Sequence, residues 1–299
     1  MDSSQNIIEL CAGYGGISMG IKRVIPEIRV RAYAEIEAYA VANLVEKIEA
    51  GKMDAAPIWT DLKTFPGESF YGKIHGIIGG YPCQPFSTAG QRRGEQDPRH
   101  LFPHILKLVK TIRPIWCFFE NVEGHLSLGY GEVYRSLRDL GYSVEAGIFS
   151  ASECGSPHRR KRLFILAHSE GYRALRETRS GFQKTRGQRR TLSREPIGTS
   201  GGQKELANSR GSELYRLSEQ QRKKNLSIRN SSKTMWPARP GQEQFEWEEA
   251  RTIEPRLGGA INGTPNRVDR IRMLGNGVVP DTAELAFRTL INKTKKDIL

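Results

Sequence analysis

The sequence has little of what marks a secreted, metal-binding or membrane-spanning chain. Its four cysteines, Cys11, Cys83, Cys117 and Cys154, form no Cys-x-x-Cys pair and no paired spacing. That argues against a disulfide scaffold and fits free thiols in a reducing cytoplasm. The six histidines are scattered without zinc spacing, so no metal is expected. No apolar stretch approaches the roughly 20 residues of a spanning helix, and no membrane partner is expected. The opening Met1-Asp2-Ser3-Ser4-Gln5 lacks a basic segment and an apolar core, so no signal peptide is expected. Acidic residues are also in deficit: 33 Asp and Glu against 46 Lys and Arg leave a net charge of +13. Such an excess points to a polyanionic partner, nucleic acid first. A hydrophobic content of 37% is low for a fully packed globule, so part of the chain should be loop-rich and polar. The length of 299 residues accommodates one large α/β domain, or one domain with a smaller companion.

What is present is organised around Gly79-Gly80-Tyr81-Pro82-Cys83-Gln84-Pro85-Phe86-Ser87. It follows the apolar run Gly76-Ile77-Ile78, read as a short buried strand, and leads into a polar loop reaching Arg99. Cys83 therefore stands just past the C-terminal end of a strand, where ligands and chemistry collect in an open α/β sheet. Pro82 and Pro85 restrict the backbone around it. A thiolate held in a defined pose is a strong nucleophile. The alternative is a buried structural cysteine in a turn.

Asn6 to Leu10 reads as a first strand, running into Cys11-Ala12-Gly13-Tyr14-Gly15-Gly16 and then a helical pattern through Ile17, Ile21 and Val24. Strand, glycine turn and helix open a nucleotide-binding unit, although a glycine turn can also be purely steric. A second strand, Arg29 to Ala34, ends at Glu35, about 20 residues past the turn, where an acid can bind a ribose diol. Glu35 can equally be a solvated strand end or a cap. Ala38 to Ala50 reads as a helix, and Ile58 to Leu62 as a third strand entering a turn at Asp61. Asp61 can accept from an adenine amino group or cap the next segment. Arg92, Arg93 and Arg99, among glycines after Cys83, suit a mobile loop closing on a phosphate backbone, or a solvated charge run.

Leu101 to Thr111 reads as an amphipathic helix. Ile115 to Phe119 is a continuous apolar run, the mark of a central parallel strand, and it ends on Glu120-Asn121-Val122. A glutamate at such a rim can have a raised pKa and donate a proton near neutrality. Cys117 reads as core. Val133, Leu137 and Leu140 mark a helix ended by Gly141; Tyr142 to Phe149 and Arg162 to Ala167 read as an edge hairpin. Between its strands lies Pro157-His158-Arg159-Arg160-Lys161-Arg162. With a strand starting near Lys161, alternation sends Arg160 and Arg162 to the same side. Residues 169–255 are polar and basic and carry more than half of the chain's positive excess. Order partly dependent on a partner is expected there. The division expected is residues 1–168 as the α/β domain, 169–255 as a basic variable region, and 256–299 as a segment returning to the first domain. Within the last, Gly275-Asn276-Gly277-Val278-Val279-Pro280 precedes an amphipathic helix from Asp281 to about Asn292.

Five of these pieces, in this order, resemble the cytosine-5 DNA methyltransferase family of bacterial or phage type. The Cys11–Gly16 turn looks like its cofactor turn, and Pro82-Cys83-Gln84 like its nucleophile motif. Glu120-Asn121-Val122 looks like its acid motif, Pro157–Arg162 is similar to its Gln-x-Arg-x-Arg motif, and Gly275–Pro280 to its C-terminal motif. The resemblance covers about residues 6–168 and 256–292. It implies a doubly wound, mostly parallel, Rossmann-like sheet of the class I methyltransferase type. It also implies S-adenosylmethionine as methyl donor and a cytosine flipped out of duplex DNA. Cys83 would attack cytosine C6, Glu120 would protonate N3, Asn121 would position the loop, and Arg162 with Arg160 would hold the base oxygen and the Cys83 loop. The cofactor residues implied are Cys11, Gly13, Gly15, Gly16, Glu35, Ile36, Asp61, Leu62, Gly80, Pro82, Leu101, Asn276 and Gly277. Glu35 would take the ribose, Asp61 the adenine amine and Ile36 the adenine face. Gln84, Ser87, Arg92, Arg93 and Arg99 would meet DNA.

Three positions depart from the family pattern. Glu9 stands for the usual Asp, Cys11 for a Phe that packs on the cofactor, and His158 for Gln. The loss of the Phe is expected to weaken cofactor affinity. Residues 169–255 hold the place of the target-recognition region but are short and polar, so a relaxed or short target site is expected. A monomer acting in the cytoplasm is expected, with a cognate restriction endonuclease as a further partner. Two other readings stand beside this one: an RNA cytosine-5 methyltransferase, and an inert DNA-binding decoy, against which the intact Cys83, Glu120 and Arg162 speak.

Overall fold

The computed structural model describes residues 5–82, 101–169 and 267–296. The expected nucleophile Cys83, the expected DNA contacts Gln84, Ser87, Arg92, Arg93 and Arg99, and the basic region 169–255 apart from Ser169 lie outside the described residues.

The elements follow from alternating apolar strands and amphipathic helices. They run β1 (Gln5–Leu10), α1 (Gly16–Lys22), β2 (Ile28–Ala34), α2 (Ala38–Glu49), β3 (Ile58–Trp59), β4 (Gly76–Gly80), α3 (Phe102–Ile112), β5 (Trp116–Val122), α4 (His125–Leu128), α5 (Tyr130–Asp139), β6 (Tyr142–Ser150), β7 (Lys161–Ser169), α6 (Arg267–Asn276) and α7 (Pro280–Lys296). The seven strands form one sheet in the order β3-β2-β1-β4-β5-β7-β6. All neighbours through β5 are parallel, whereas β7 runs antiparallel to both β5 and β6. The chain winds outward from β1 to β3, then restarts at β4 on the other side of β1. The direction of winding therefore reverses between β1 and β4, and a crevice opens beyond their C-terminal ends.

Successive side chains of a strand face opposite ways, and both faces of this sheet are covered. Ile8, Ile77, Cys117, Phe119 and Ile165 pack on one side with Ile105, Val109 and Ile112 of α3 and Leu137 of α5. Ile7, Ile78, Phe118 and Phe164 pack on the other with Ile17 and Ile21 of α1 and Phe287 and Leu290 of α7. The uninterrupted apolar run in β5 is thus a strand buried on both sides. Trp116 and Phe118 meet the Phe287 ring at 5.4 and 5.1 Å, which fixes the C-terminal helix on the sheet.

Two expectations change. The third strand is only Ile58–Trp59, because Asp61 caps a short 3-10 turn over Leu62–Thr64 by accepting from the Lys63 N–H at 2.9 Å. The motif Gly275-Asn276-Gly277 is the end of an unforeseen helix, α6, whose charged sequence hid its periodicity. The connection between β6 and β7 opens with a 3-10 turn at Ala151–Cys154, closed by a reciprocal cap between Ser150 and Glu153.

Candidate active site

A cavity of about 630 Å³ occupies the crevice at the winding reversal. Its floor is the end of β1 and the following turn, Cys11 to Gly13; one wall is the end of β2, Glu35 and Ile36, with Asp61 and Leu62 beyond; another is Gly80 to Pro82 after β4. Leu101 closes one side, Glu120 and Asn121 of β5 with Arg162 of β7 stand at the far end, and Asn276 and Gly277 form the last wall. Of the cofactor residues expected, Gly15 and Gly16 do not line the cavity. They serve close packing: a Cβ on Gly16 would come within 2.0 Å of the Val278 carbonyl oxygen, and Gly15 caps α1 at φ +82°. Tyr81, Glu37, Arg272, Met273 and Val278 also line it and were not anticipated here. The glycine pairs were a signal of close backbone approach, without naming the side chains that make it.

At one end, Glu35 is buried and its carboxylate is aimed by two backbone donors. The Gly13 N–H reaches Oε2 at 2.7 Å and the Glu37 N–H reaches Oε1 at 2.8 Å. A carboxylate has about four acceptor sites, so two bonds remain available to a diol. Gly13 adopts φ +55° with open space where a Cβ would be, so a ligand can approach its backbone closely. Ile36 beside it is 71% exposed, an apolar face without cover. Asp61 caps its own turn through Oδ1, one of the two alternatives its sequence allowed. Cys11 also has positive φ, and burial, with the Glu35 carboxylate after it, pushes its thiol up to about 12.

At the other end, Glu120 is 5% exposed. Burial raises its pKa from 4.5 to about 7 against the pull of Arg162 and then Arg160. Arg162 Nε lies 2.9 Å from Glu120 Oε1, yet that oxygen has no aligned hydrogen bond among the described residues. The contact is a close charge pair at that oxygen, and it holds the carboxyl's pKa below what burial alone would give. Gly80 makes room for it: a Cβ there would stand 3.1 Å from Glu120 Oε2. Asn121 ties the strand end to the start of the Cys83 segment. Its Nδ2 donates to the Tyr81 carbonyl at 3.1 Å, and its Oδ1 accepts from the Val122 N–H at 2.8 Å. The Tyr81 hydroxyl pairs with His125 Nε2 at 3.0 Å, and its ring packs on Phe102 and Phe119. Pro82, the last described residue before Cys83, thus leaves from a fixed base.

Arg160 and Arg162 do not share a target. Arg160 precedes β7 with φ +34°, which takes it out of the strand's alternation. Its Nη2 donates to the carbonyls of Gly275 and Gly277 at 2.7 and 2.5 Å.

The sheet order and the cavity at its reversal define a Rossmann-like α/β protein of the class I methyltransferase type. Within that class, the chain belongs to the C-5 cytosine-specific DNA methylase family, whose model matches residues 5–262. It is similar to the type II methyltransferases M.HgiDI of Herpetosiphon aurantiacus and M.NgoMIV of Neisseria gonorrhoeae. Each is 34% identical over 170 residues, covering 55% of this chain and 52% of the relative. The chain thus spans about half the length of the curated relatives it matches. Among solved structures, the Dnmt2 methyltransferase of S. pombe superposes with a TM-score of 0.47 at 25% identity, covering 55% of this chain and 51% of that one.

Proposed function

We propose that the protein is a DNA cytosine-5 methyltransferase that uses S-adenosylmethionine and a covalent bond from Cys83 to cytosine C6. The observation that carries this reading is Glu120: a buried carboxyl, pushed up to about 7, facing a cavity it shares with Glu35 and standing next to the segment that delivers Cys83. The residues present fit the donor. Glu35 has free acceptor sites for a ribose diol, Ile36 offers an apolar face, and Gly13 admits close backbone approach. When bound there, S-adenosylmethionine supplies an electrophilic methyl group.

The chain's own residues do the rest. Cytosine C5 is a poor nucleophile while the ring is aromatic. The Cys83 thiolate adds to C6, which breaks the 5,6 double bond and makes C5 an enamine carbon. Charge would build on the ring, so protonated Glu120 gives its proton to N3 and holds the base there. Arg162 stabilises the carboxylate that results. After methylation the C5 proton passes to a base, Cys83 departs as thiolate and N3 returns its proton to Glu120, which restores the aromatic ring and the acid. A cytosine in duplex DNA is stacked and out of reach, so the base must leave the helix to enter this cavity.

In this reading the substrate is duplex DNA, and Gln84, Ser87, Arg92, Arg93 and Arg99 contact it beside the flipped base. Residues 169–255 choose the site, and the enzyme works as a cytoplasmic monomer with a cognate restriction endonuclease. Conversion-based sequencing of host DNA after expressing the wild type and Cys83→Ala tests it. Protected cytosines are expected with the wild type alone. Protection persisting in the variant sinks the mechanism, and no protection from a folded, donor-binding wild type sinks the DNA reading.

A further inference from the structure

We propose that Arg160 is a positioning residue for the donor-side wall of the cavity, holding the Gly275–Gly277 turn by its carbonyls rather than reading the target base. The inference rests on the function proposed above. The turn ends α6 and supplies Asn276 and Gly277 to the cavity. It is gripped from two sides. From the β6–β7 connection, Arg160 Nη2 bridges the Gly275 and Gly277 carbonyls at 2.7 and 2.5 Å. From the β1–α1 turn, the Tyr14 hydroxyl donates to the Val278 carbonyl at 2.5 Å. The Tyr14 ring lies against Gly277 so closely that a Cβ there would come 2.0 Å from Cε1. Tyr14 is itself held by Lys47, whose Nζ donates to the Tyr14 carbonyl at 2.7 Å and lies 4.9 Å from the ring centre.

The backbone of Arg160 shows that this grip is imposed. A non-glycine residue at φ +34° is in a sparsely populated conformation that persists only where its surroundings over-determine it. That conformation sends the guanidinium to the turn, while Arg162, two residues on and inside β7, reaches Glu120. The two arginines therefore hold different parts of one cavity's lining, Arg162 the acid and Arg160 the Gly275–Gly277 wall.

The test measures S-adenosylmethionine binding by calorimetry without DNA, and KM and kcat with DNA, for the wild type, Arg160→Met and Arg160→Lys. Losing a charged donor to two carbonyls should weaken donor binding roughly ten- to a hundredfold. KM for the donor should rise by more than kcat falls, with KM for DNA little moved. Arg160→Lys should recover most of the affinity, since an ammonium can also bridge two carbonyls. Should Arg160→Met fail to fold, Tyr14→Phe removes only the bond on the other side of the turn and should weaken donor binding in the same direction. Wild-type donor affinity in Arg160→Met, with a changed KM for DNA or changed choice of base, overturns the inference and makes Arg160 a base contact. Wild-type affinity in Tyr14→Phe, where Arg160→Met does not fold, overturns it too. A folded wild type that binds no donor overturns the functional reading itself, and this inference with it.

Discussion

Arg162 Nε lies 2.9 Å from Glu120 Oε1, reaching diagonally across the antiparallel pair β5–β7, in which Glu120 is registered with Phe164 and Val122 with Arg162. The pair sets how acidic the buried carboxyl is. Burial raises its pKa to about 7, and Arg162 is the first of the charges that hold it from rising further. If Glu120 must be protonated to assist the base, kcat/KM for DNA should fall as pH rises through about 7, with a slope of one proton. Arg162→Gln should lower the rate and move that limb to higher pH. A limb unmoved in Arg162→Gln would mean that the titrating group is not Glu120.

Glu120→Gln keeps the shape and removes the acid. General acid catalysis is worth about 10²–10⁴ in rate, so turnover should drop by that order while donor affinity holds, measured by single-turnover methyl transfer and equilibrium binding. Equal losses in both would instead make Glu120 a structural member of the cavity.

Glu9 is a second buried carboxyl, with no part in the chemistry. It accepts from the Ser18 N–H at 3.2 Å, and Oε2 has no partner among the described residues. Burial raises its pKa from 4.5 to about 7. The folded state therefore binds the proton more tightly than the unfolded chain. The resulting stabilisation, on the order of 3 kcal/mol, is fully present below about pH 4.5 and lost as pH rises through about 7. Glu9→Gln cannot ionise, so it should unfold at a higher temperature than the wild type at pH 8 and at nearly the same temperature at pH 4.5. A variant less stable at pH 8 would show that the carboxylate is compensated in the fold.

Asn121 joins the acid strand to the nucleophile segment through the Tyr81 carbonyl. Asn121→Ala removes this buried hydrogen bond and should cost about 1–3 kcal/mol of stability by denaturant unfolding. Because Tyr81 and Pro82 lead directly to Cys83, kcat should fall more than donor affinity. An unchanged kcat would detach Asn121 from the positioning of Cys83.

Much of this arrangement was legible because strands, glycine turns and strand-end acids leave strong local marks. Glu35, Asp61, Glu120 and Asn121 each follow an apolar run, and all four line one cavity since the strand order reverses between β1 and β4. What was not legible depends on contacts distant in sequence or on single dihedral angles. Nothing local separates Arg160 from Arg162; the difference is a positive φ at residue 160 and a turn more than a hundred residues away. Nothing local marks Tyr14, between its glycines, as the residue on which Gly277 and Val278 rest. The helix α6 was hidden by charged residues and a terminal glycine, which carry little 3.6-residue apolar periodicity.

The proposed chemistry turns on a covalent bond from Cys83 to the target base in the Glu120 cavity. It is tested most directly with duplex DNA carrying 5-fluorocytosine, because fluorine at C5 cannot leave as the proton does and the adduct persists. A denaturation-resistant complex of one chain per modified strand is expected with S-adenosylmethionine present, its mass assigning the linkage to Cys83, and none with Cys83→Ala. A complex that forms equally with Cys83→Ala, or a wild type that methylates cytosine C5 yet traps no adduct, would contradict it.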